Sequence, residues 1–312
     1  MTRPTISAIL PTRNRPRLVV EAAASVLAQR LPPDELLVVD DGSAGEARRA
    51  LGPLLGGARF PVHFLRGPGR GPGAARNVGI EAAAGELLAF IDDDDLWRPE
   101  KLLWQVERLA VRPGLGVLGT GVVRTDRPAS LRRRAVGESA RWRPISMEAL
   151  IRANRLAMSS VVARRRCFEE VGGFDEGLSL AQDWDMWLRV AESWEVAALS
   201  APLTVYRLHG DQRTAEQSAL RRREAEVIGR ALARGAVDRA AAAGKGLRGV
   251  ARRRLAWAHC RLGRRLLREG NMEGAARELR ESFSLFAVNP VTWGALARCA
   301  LARRAPAEAE RP

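Results

Sequence analysis

Residues 87–95 read Leu87-Leu88-Ala89-Phe90-Ile91-Asp92-Asp93-Asp94-Asp95, five apolar residues running straight into four carboxylates. A strand with one wet face alternates apolar and polar residues. This one does not, so both of its faces are expected to be covered, as in a parallel α/β sheet. In such sheets ligands sit beyond the carboxyl ends of the strands, which is where the four aspartates fall.

The sequence on either side repeats the pattern. Toward the N-terminus, Thr5–Leu10 reads as a strand broken by Pro11-Thr12-Arg13-Asn14-Arg15-Pro16. A helix follows, with Leu18, Val19, Ala22 and Val26 at helical spacing. Glu35–Val39 is a second strand, ending in Asp40-Asp41-Gly42, and Ser43 with Glu46 fits a capping box. Val62–Leu65 is a third strand. The glycine-proline loop Gly67–Gly73 then leads into a helix over Ala74–Ala84, with Gly85 as its terminator. Downstream, Pro99 suits the first turn of a helix, and Leu115–Val123 is a fifth strand. Residues 124–145 show no period. A helix (Ser146–Ala153), a strand (Ser159–Ala163), a Gly172-Gly173-Phe174 turn, a helix (Ala181–Ala191) and a last strand (Leu203–Leu208) complete this half. Beyond residue 215 only helices are expected. There Leu262, Gly263, Leu266, Ala275 and Leu279 loosely fit one tetratricopeptide-like helix pair.

Charge divides the chain in the same way. Its 312 residues carry a formal +15, and all but two of the 51 basic residues (Lys101 and Lys245) are arginine. Residues 211–312 hold 22 basic and 11 acidic side chains, so +11 lies in the tail and +4 in the remainder. Two regions are expected, 1–212 and a basic α-helical 213–312. No apolar run reaches the roughly 18 residues of a bilayer span, and the opening Met-Thr-Arg-Pro lacks a secretory signal layout. Cys167, Cys260 and Cys299 have no metal or disulfide spacing and read as reduced, buried thiols, which gives a cytoplasmic expectation.

Four segments follow strands and carry chemistry. Adjacent carboxylates in Asp92–Asp95 repel one another, and a hard divalent cation, Mn²⁺ or Mg²⁺, would relieve that repulsion through oxygen ligands. Asp95 also suits a helix cap. Asp40-Asp41 could accept hydrogen bonds from a base or ribose, or cap the next helix. The glycines of Gly67–Gly73 permit close backbone approach, and Arg76 lies in a helical first turn, where phosphate is favoured. The loop is neither a P-loop nor a dinucleotide fingerprint. Asp183 and Asp185 flank the apolar stripe of Trp184, Trp187 and Leu188; only one can face a given cleft, and periodicity does not choose between them. His209 follows the last strand.

Seven segments in order resemble the inverting family 2 nucleotide-sugar glycosyltransferases of GT-A fold. They are Ile9–Arg15, Val38–Ser43, Gly73–Ile80, Ala89–Asp95, Pro99–Leu102, Val171–Glu176 and Gln182–Asp185. The resemblance implies a mostly parallel sheet flanked by helices and a donor-nucleotide site of Pro11, Thr12, Asn14, Asp41, Arg76, Asp92 and Asp93, with Asp41 on the base. It implies Asp94 as the principal metal ligand, His209 at the diphosphate and metal, and Asp183 as the catalytic base. Arg13 departs from the aromatic or His common at its position, and Gln182 from the Glu frequent before the base.

The implied partners are a nucleoside-diphosphate sugar and a glycan or lipid-linked acceptor, in cell-surface polysaccharide or glycolipid synthesis. Rival readings are a sugar nucleotidyltransferase and a noncatalytic nucleotide-sugar-binding module. The basic tail suits peripheral contact with an anionic membrane, at its inner face. Nucleic acid is not expected, because Trp257 and Trp293 stand alone without aromatic interleaving.

Overall fold

A computed structural model describes residues 3–43, 45–126, 140–208, 217–235 and 247–304. The chain divides into two compact units, 1–212 and 213–312.

The first unit is built on one nine-stranded sheet. In chain order its strands are β1 (Ile6–Thr12), β2 (Glu35–Asp40), β3 (Val62–Arg66), β4 (Leu87–Phe90), β5 (Leu96–Trp97), β6 (Leu115–Thr125), β7 (Trp142–Pro144), β8 (Val162–Arg164) and β9 (Glu195–Arg207). They lie side by side as β3-β2-β1-β4-β8-β6-β9-β5, with β7 also paired to β9. The β3-β2-β1-β4 half is parallel throughout. β8 inserts antiparallel between β4 and β6, and β5 and β7 run antiparallel to β9. Since β6 and β9 are parallel to each other, six of the nine strands share one direction.

Both faces of the sheet are covered, which accounts for the unbroken apolar run. On one face Ile6, Ala8 and Leu10 of β1 and Leu87 and Ala89 of β4 meet Val19, Ala22 and Val26 of α1 (Pro16–Leu27). Ala47 and Leu51 of α2 (Glu46–Leu55) and Leu102, Val106 and Leu109 of α4 (Lys101–Ala110) join the same cluster. On the other face Phe90 packs against Phe168 of α6 (Arg165–Val171) and against Phe174, whose ring meets Trp187 of α7 (Gln182–Val190) edge-on. There α3 (Pro72–Ala82) crosses β1 at Gly79, where an added Cβ would lie 2.5 Å from Ile9 Cγ2.

Several local expectations are corrected. Pro11 does not break β1, which continues to Thr12. Ile9 O accepts from Ile91 N and Thr12 O from Asp41 N, so by alternation Pro11 nitrogen faces the β4 side, where pairing has already ended at Ile9. Ser43 does not cap α2; Gly45, left-handed at φ 72°, precedes that helix without a side-chain cap. Gly85 does not terminate α3, which ends at Ala82. Its amide donates to Ser7 Oγ, and a Cβ there would lie 2.5 Å from Ser7 N. The β7 strand and the start of β9 fall where no strand was expected, because Glu195–Pro202 is rich in Ala, Ser and Pro and carries weak strand preference. Between Ser159 and Ala163 a 3₁₀ turn, Met158–Ser160, precedes the strand. Ser146 caps α5 (Met147–Arg152) by accepting from Ala149 N.

The second unit contains α8 (Gln217–Ala233), α9 (Leu247–Arg268), α10 (Met272–Leu285) and α11 (Pro290–Arg304). Cys260, Leu262 and Leu266 of α9, Ala275, Ala276 and Leu279 of α10, and Ala295 and Cys299 of α11 form its core. Gly263 allows α9 and α10 to cross closely, since a Cβ there would lie 2.7 Å from Leu279 Cγ. Gly270, at φ 79°, turns the chain between them, and Asn271 caps α10 through Gly274 N. All three cysteines are free and buried, and burial pushes the Cys167 thiol up to about 12. No described helix is long and apolar enough to cross a membrane.

Candidate active site

Loops from the carboxyl ends of β1, β2 and β3 converge. Asn14 sits at φ 55°, a left-handed conformation that Asn tolerates better than most residues, and its amide donates to Ser43 Oγ at 2.8 Å. The Asp41 carboxylate is buried and accepts from Gly69 N at 2.7 Å and Gly71 N at 2.8 Å. Asp41 therefore shapes the glycine loop with its own charge. Gly67 must be glycine, because a Cβ would lie 2.8 Å from Asp41 Oδ1 and 2.9 Å from Asp41 Cα.

The acidic turn after β4 lies beside these loops. Thr12 donates to Asp93 Oδ2 at 2.8 Å, and Arg15 reaches both Asp93 at 3.0 Å and Asp94 at 2.7 Å. Arg15 has no role assigned by its sequence motif alone, although it shares a loop with Thr12 and Asn14. Asp92, on the other side, is paired with the buried Arg76 of α3. Asp92, Asp94 and Asp95 each present an oxygen within 4.8 Å of the others. Burial, followed by repulsion from Asp92 and Asp94, lifts Asp95 well above the ordinary carboxylate range. Burial also raises Asp93, against its hydrogen bond from Thr12. Three crowded oxygen donors whose charges repel one another fit a hard divalent cation. Asp95 joins Asp92 and Asp94 in this group, while Asp93 is engaged by Thr12 and Arg15.

Asp183 opens α7 and comes under the charges of Arg76 and Asp92. Two contacts tie α7 and the turn before it to α3. Gln182 packs against Gly73, where a Cβ would lie 3.5 Å from the amide. Asn77 of α3 exchanges hydrogen bonds with Phe174 backbone N and O, at 2.7 and 2.9 Å. Asp183 is half-buried, accepting from Trp184 N and Asn154 Nδ2 at 2.8 Å each. Burial raises its pKa, and Asn154 and Arg76 draw it back. Asp185 is buried elsewhere, bonded to Arg189 Nε at 2.8 Å. His209 lies outside the described residues; Arg207, two positions earlier, donates its amide to Asp95 Oδ1 at 3.3 Å.

Of the expected site residues, Thr12, Arg76, Asp92, Asp93, Asp94 and Asp183 thus belong to one charged region around the acidic turn. Pro11 lies in β1, and Asn14 and Asp41 build the adjoining loops. Asn154 and Ser159 were missed, since an isolated Asn or Ser carries no periodic or motif signal.

A family model described as "Glycosyl transferase family 2" matches residues 7–166. The succinoglycan biosynthesis protein ExoO of Rhizobium meliloti is 34% identical over 190 residues, 58% of this chain and 54% of ExoO. The uncharacterized glycosyltransferase YwdF of Bacillus subtilis is 26% identical over 226 residues, 70% of this chain and 80% of YwdF. The chain spans about half the length of ExoO and about a third of several other curated relatives. Among solved structures, S. aureus TarS 1-349 in complex with UDP-GlcNAc aligns with TM-score 0.65 at 17% identity, covering 96% of this chain and 91% of that one. The mannosyltransferase PcManGT of Pyrobaculum calidifontis, in complex with GDP-Man and Mn²⁺, aligns with TM-score 0.63 at 19% identity, covering 98% and 82%. At such identities the likeness establishes the fold.

Proposed function

The chain belongs to glycosyl transferase family 2, and on that premise we propose that it moves a sugar from a nucleoside-diphosphate sugar to an acceptor hydroxyl, with inversion. One observation carries this reading: Asp183 lies within the electrostatic reach of Arg76 and Asp92, beside the acidic turn, while Asp185 is locked into a separate ion pair.

In this mechanism the glycine loop fixed by Asp41, together with Thr12 and Asn14, receives the nucleoside. Asp94, with Asp92 and Asp95, would hold Mn²⁺ or Mg²⁺. Such a cation neutralises the departing diphosphate when bound. Asp183, its carboxylate favoured by Asn154 and Arg76 against burial, takes the proton of the attacking hydroxyl, a contribution of about 10²–10⁴-fold. Arg15 and Arg76 hold the acidic turn in place and supply positive charge beside the leaving group. A single in-line displacement inverts the anomeric centre.

Polysaccharide synthesis is the favoured setting, supported by the name of ExoO. A lipid-linked or glycan acceptor is our reading of that setting, and the net +11 of residues 211–312 suits transient contact with an anionic membrane surface. The test is a panel of UDP- and GDP-sugars assayed for donor hydrolysis with Mn²⁺. Turnover that disappears in Asp183→Asn while donor binding persists supports the reading. Wild-type turnover in that variant overturns it.

A further inference from the structure

The stretch 154–160, between α5 and β8, touches both halves of the proposed chemistry. At its start Asn154 donates to Asp183 Oδ2 at 2.8 Å. Near its end Ser159 Oγ accepts from Asp92 N at 3.0 Å and hydrogen-bonds the Asp95 carboxylate. The stretch is held at almost every step between. Leu156 N donates to Asn154 Oδ1, and Ser160 Oγ to Ala157 O. Ser159 O accepts from Trp97 Nε1 at 2.7 Å, and Ser160 O from Gln105 Nε2 at 2.9 Å. Leu156 fills the space above Gly119 of β6, where a Cβ would lie 2.4 Å from its Cδ2. Ser159 and Ser160 are buried, whereas Asn154 is exposed.

We infer that residues 154–160 act as a strut that fixes the candidate base relative to the acidic turn, with Asn154 positioning Asp183 and Ser159 positioning Asp92 and Asp95. The inference rests on the reading of Asp183 as the base. An in-line displacement needs its reacting atoms placed within a fraction of an ångström, and Asp183 and the acidic turn come from elements about ninety residues apart in sequence. A hydrogen-bonded strut removes that freedom before substrate arrives. Asn154 also adds a donor that favours the ionised form of Asp183, alongside Arg76 and against burial and Asp92.

Two measurements on the full chain test this. The first is carboxyl ¹³C NMR titration of metal-free protein, with the Asp183 signal identified by its loss in Asp183→Asn. Asn154→Ala is expected to shift the Asp183 titration upward by about one unit. Asn154→Asp, which adds a like charge, should shift it further. Asn154 is exposed, so both variants are expected to fold. The second is calorimetric titration with Mn²⁺, in which Ser159→Ala should weaken affinity about 10-fold. An unmoved Asp183 titration in both Asn154 variants, or wild-type Mn²⁺ affinity in Ser159→Ala, overturns the strut. If the titrations shift as expected but Asp183→Asn still turns over donor, the strut stands and the assignment of the base fails.

Discussion

Asp183 and Asp185 stand two residues apart at the start of α7 and take different partners, Asn154 and Arg189. Asp185 is buried against Arg189, whose guanidinium continues to the carbonyls of Val171 and Gly173 at 2.7 Å each. It therefore anchors the Gly172-Gly173 turn to α7. Asp183 faces Asn154 and the charge of Arg76. The two substitutions should separate. Asp183→Asn is expected to lower transfer about 10²-fold or more with little change in melting temperature. Asp185→Ala should cost about 2 kcal/mol, because it removes a charge-assisted hydrogen bond between a buried carboxylate and the partly buried Arg189. Paired kinetics and thermal melts check both.

Asp183 also predicts a pH dependence. Its pKa is raised above the ordinary carboxylate value of 3.8, and a base must be ionised to act. Activity should therefore fall as pH drops through that raised value. A pH–rate profile with its acid limb at or below the ordinary aspartate range would contradict the assignment.

Asp94 shares an oxygen cluster with Asp92 and Asp95. Asp94→Ala should abolish Mn²⁺-dependent donor binding, since a hard cation with two remaining carboxylates loses much of its charge complement. Calorimetry with nucleoside diphosphate, with and without Mn²⁺, would reveal the loss; undiminished metal dependence would remove Asp94 from the site.

Gly67→Ala should impair donor binding, because its Cβ would lie 2.8 Å from the Asp41 oxygen that holds the glycine loop. Gly57→Ala, where nothing lies within 4 Å, is the matched control. Thermal shift with nucleoside diphosphates should shrink in the first variant and not in the second.

Lys101 is fully buried, lies 4.2 Å from the Trp97 ring centroid, and its Nζ has no hydrogen-bond partner among the described residues. Burial lowers its pKa well below 10.5. Between that lowered value and 10.5 the unfolded chain holds a proton that the folded chain does not, so stability rises with pH across the interval. Lys101→Met should stabilise the protein by about 1 kcal/mol or more at pH 7 and flatten that pH dependence. Denaturant unfolding at pH 7 and 9 would measure both effects.

Much of the site is legible in the order of residues, because its parts announce themselves locally. Apolar β4 followed by four aspartates, Asp40-Asp41 after β2, and the glycine loop after β3 each combine a strand end with a charge or a flexible backbone. Other features left no such trace. Ser43 resembles a helix cap, yet it accepts from Asn14 N, because the β1 loop packs against it. Gly85 resembles a helix terminator, yet it is needed where β1 passes within reach of any side chain. Asn154 and Ser159 gain meaning only from partners that lie outside their own segment.

The sequence alone determined that hydrophobic strands alternate with helices, that acidic and glycine-rich segments collect at the strand ends, and that a basic helical region follows. Those properties are local, set by period, charge and backbone freedom. Only tertiary structure set Asp183 against Asn154 and Asp185 against Arg189, gave Asp41 its hold on the glycine loop, and set Asp95 beside Asp92 and Asp94. Each of those outcomes depends on which side chains meet across elements distant in the chain, and periodicity holds no record of that.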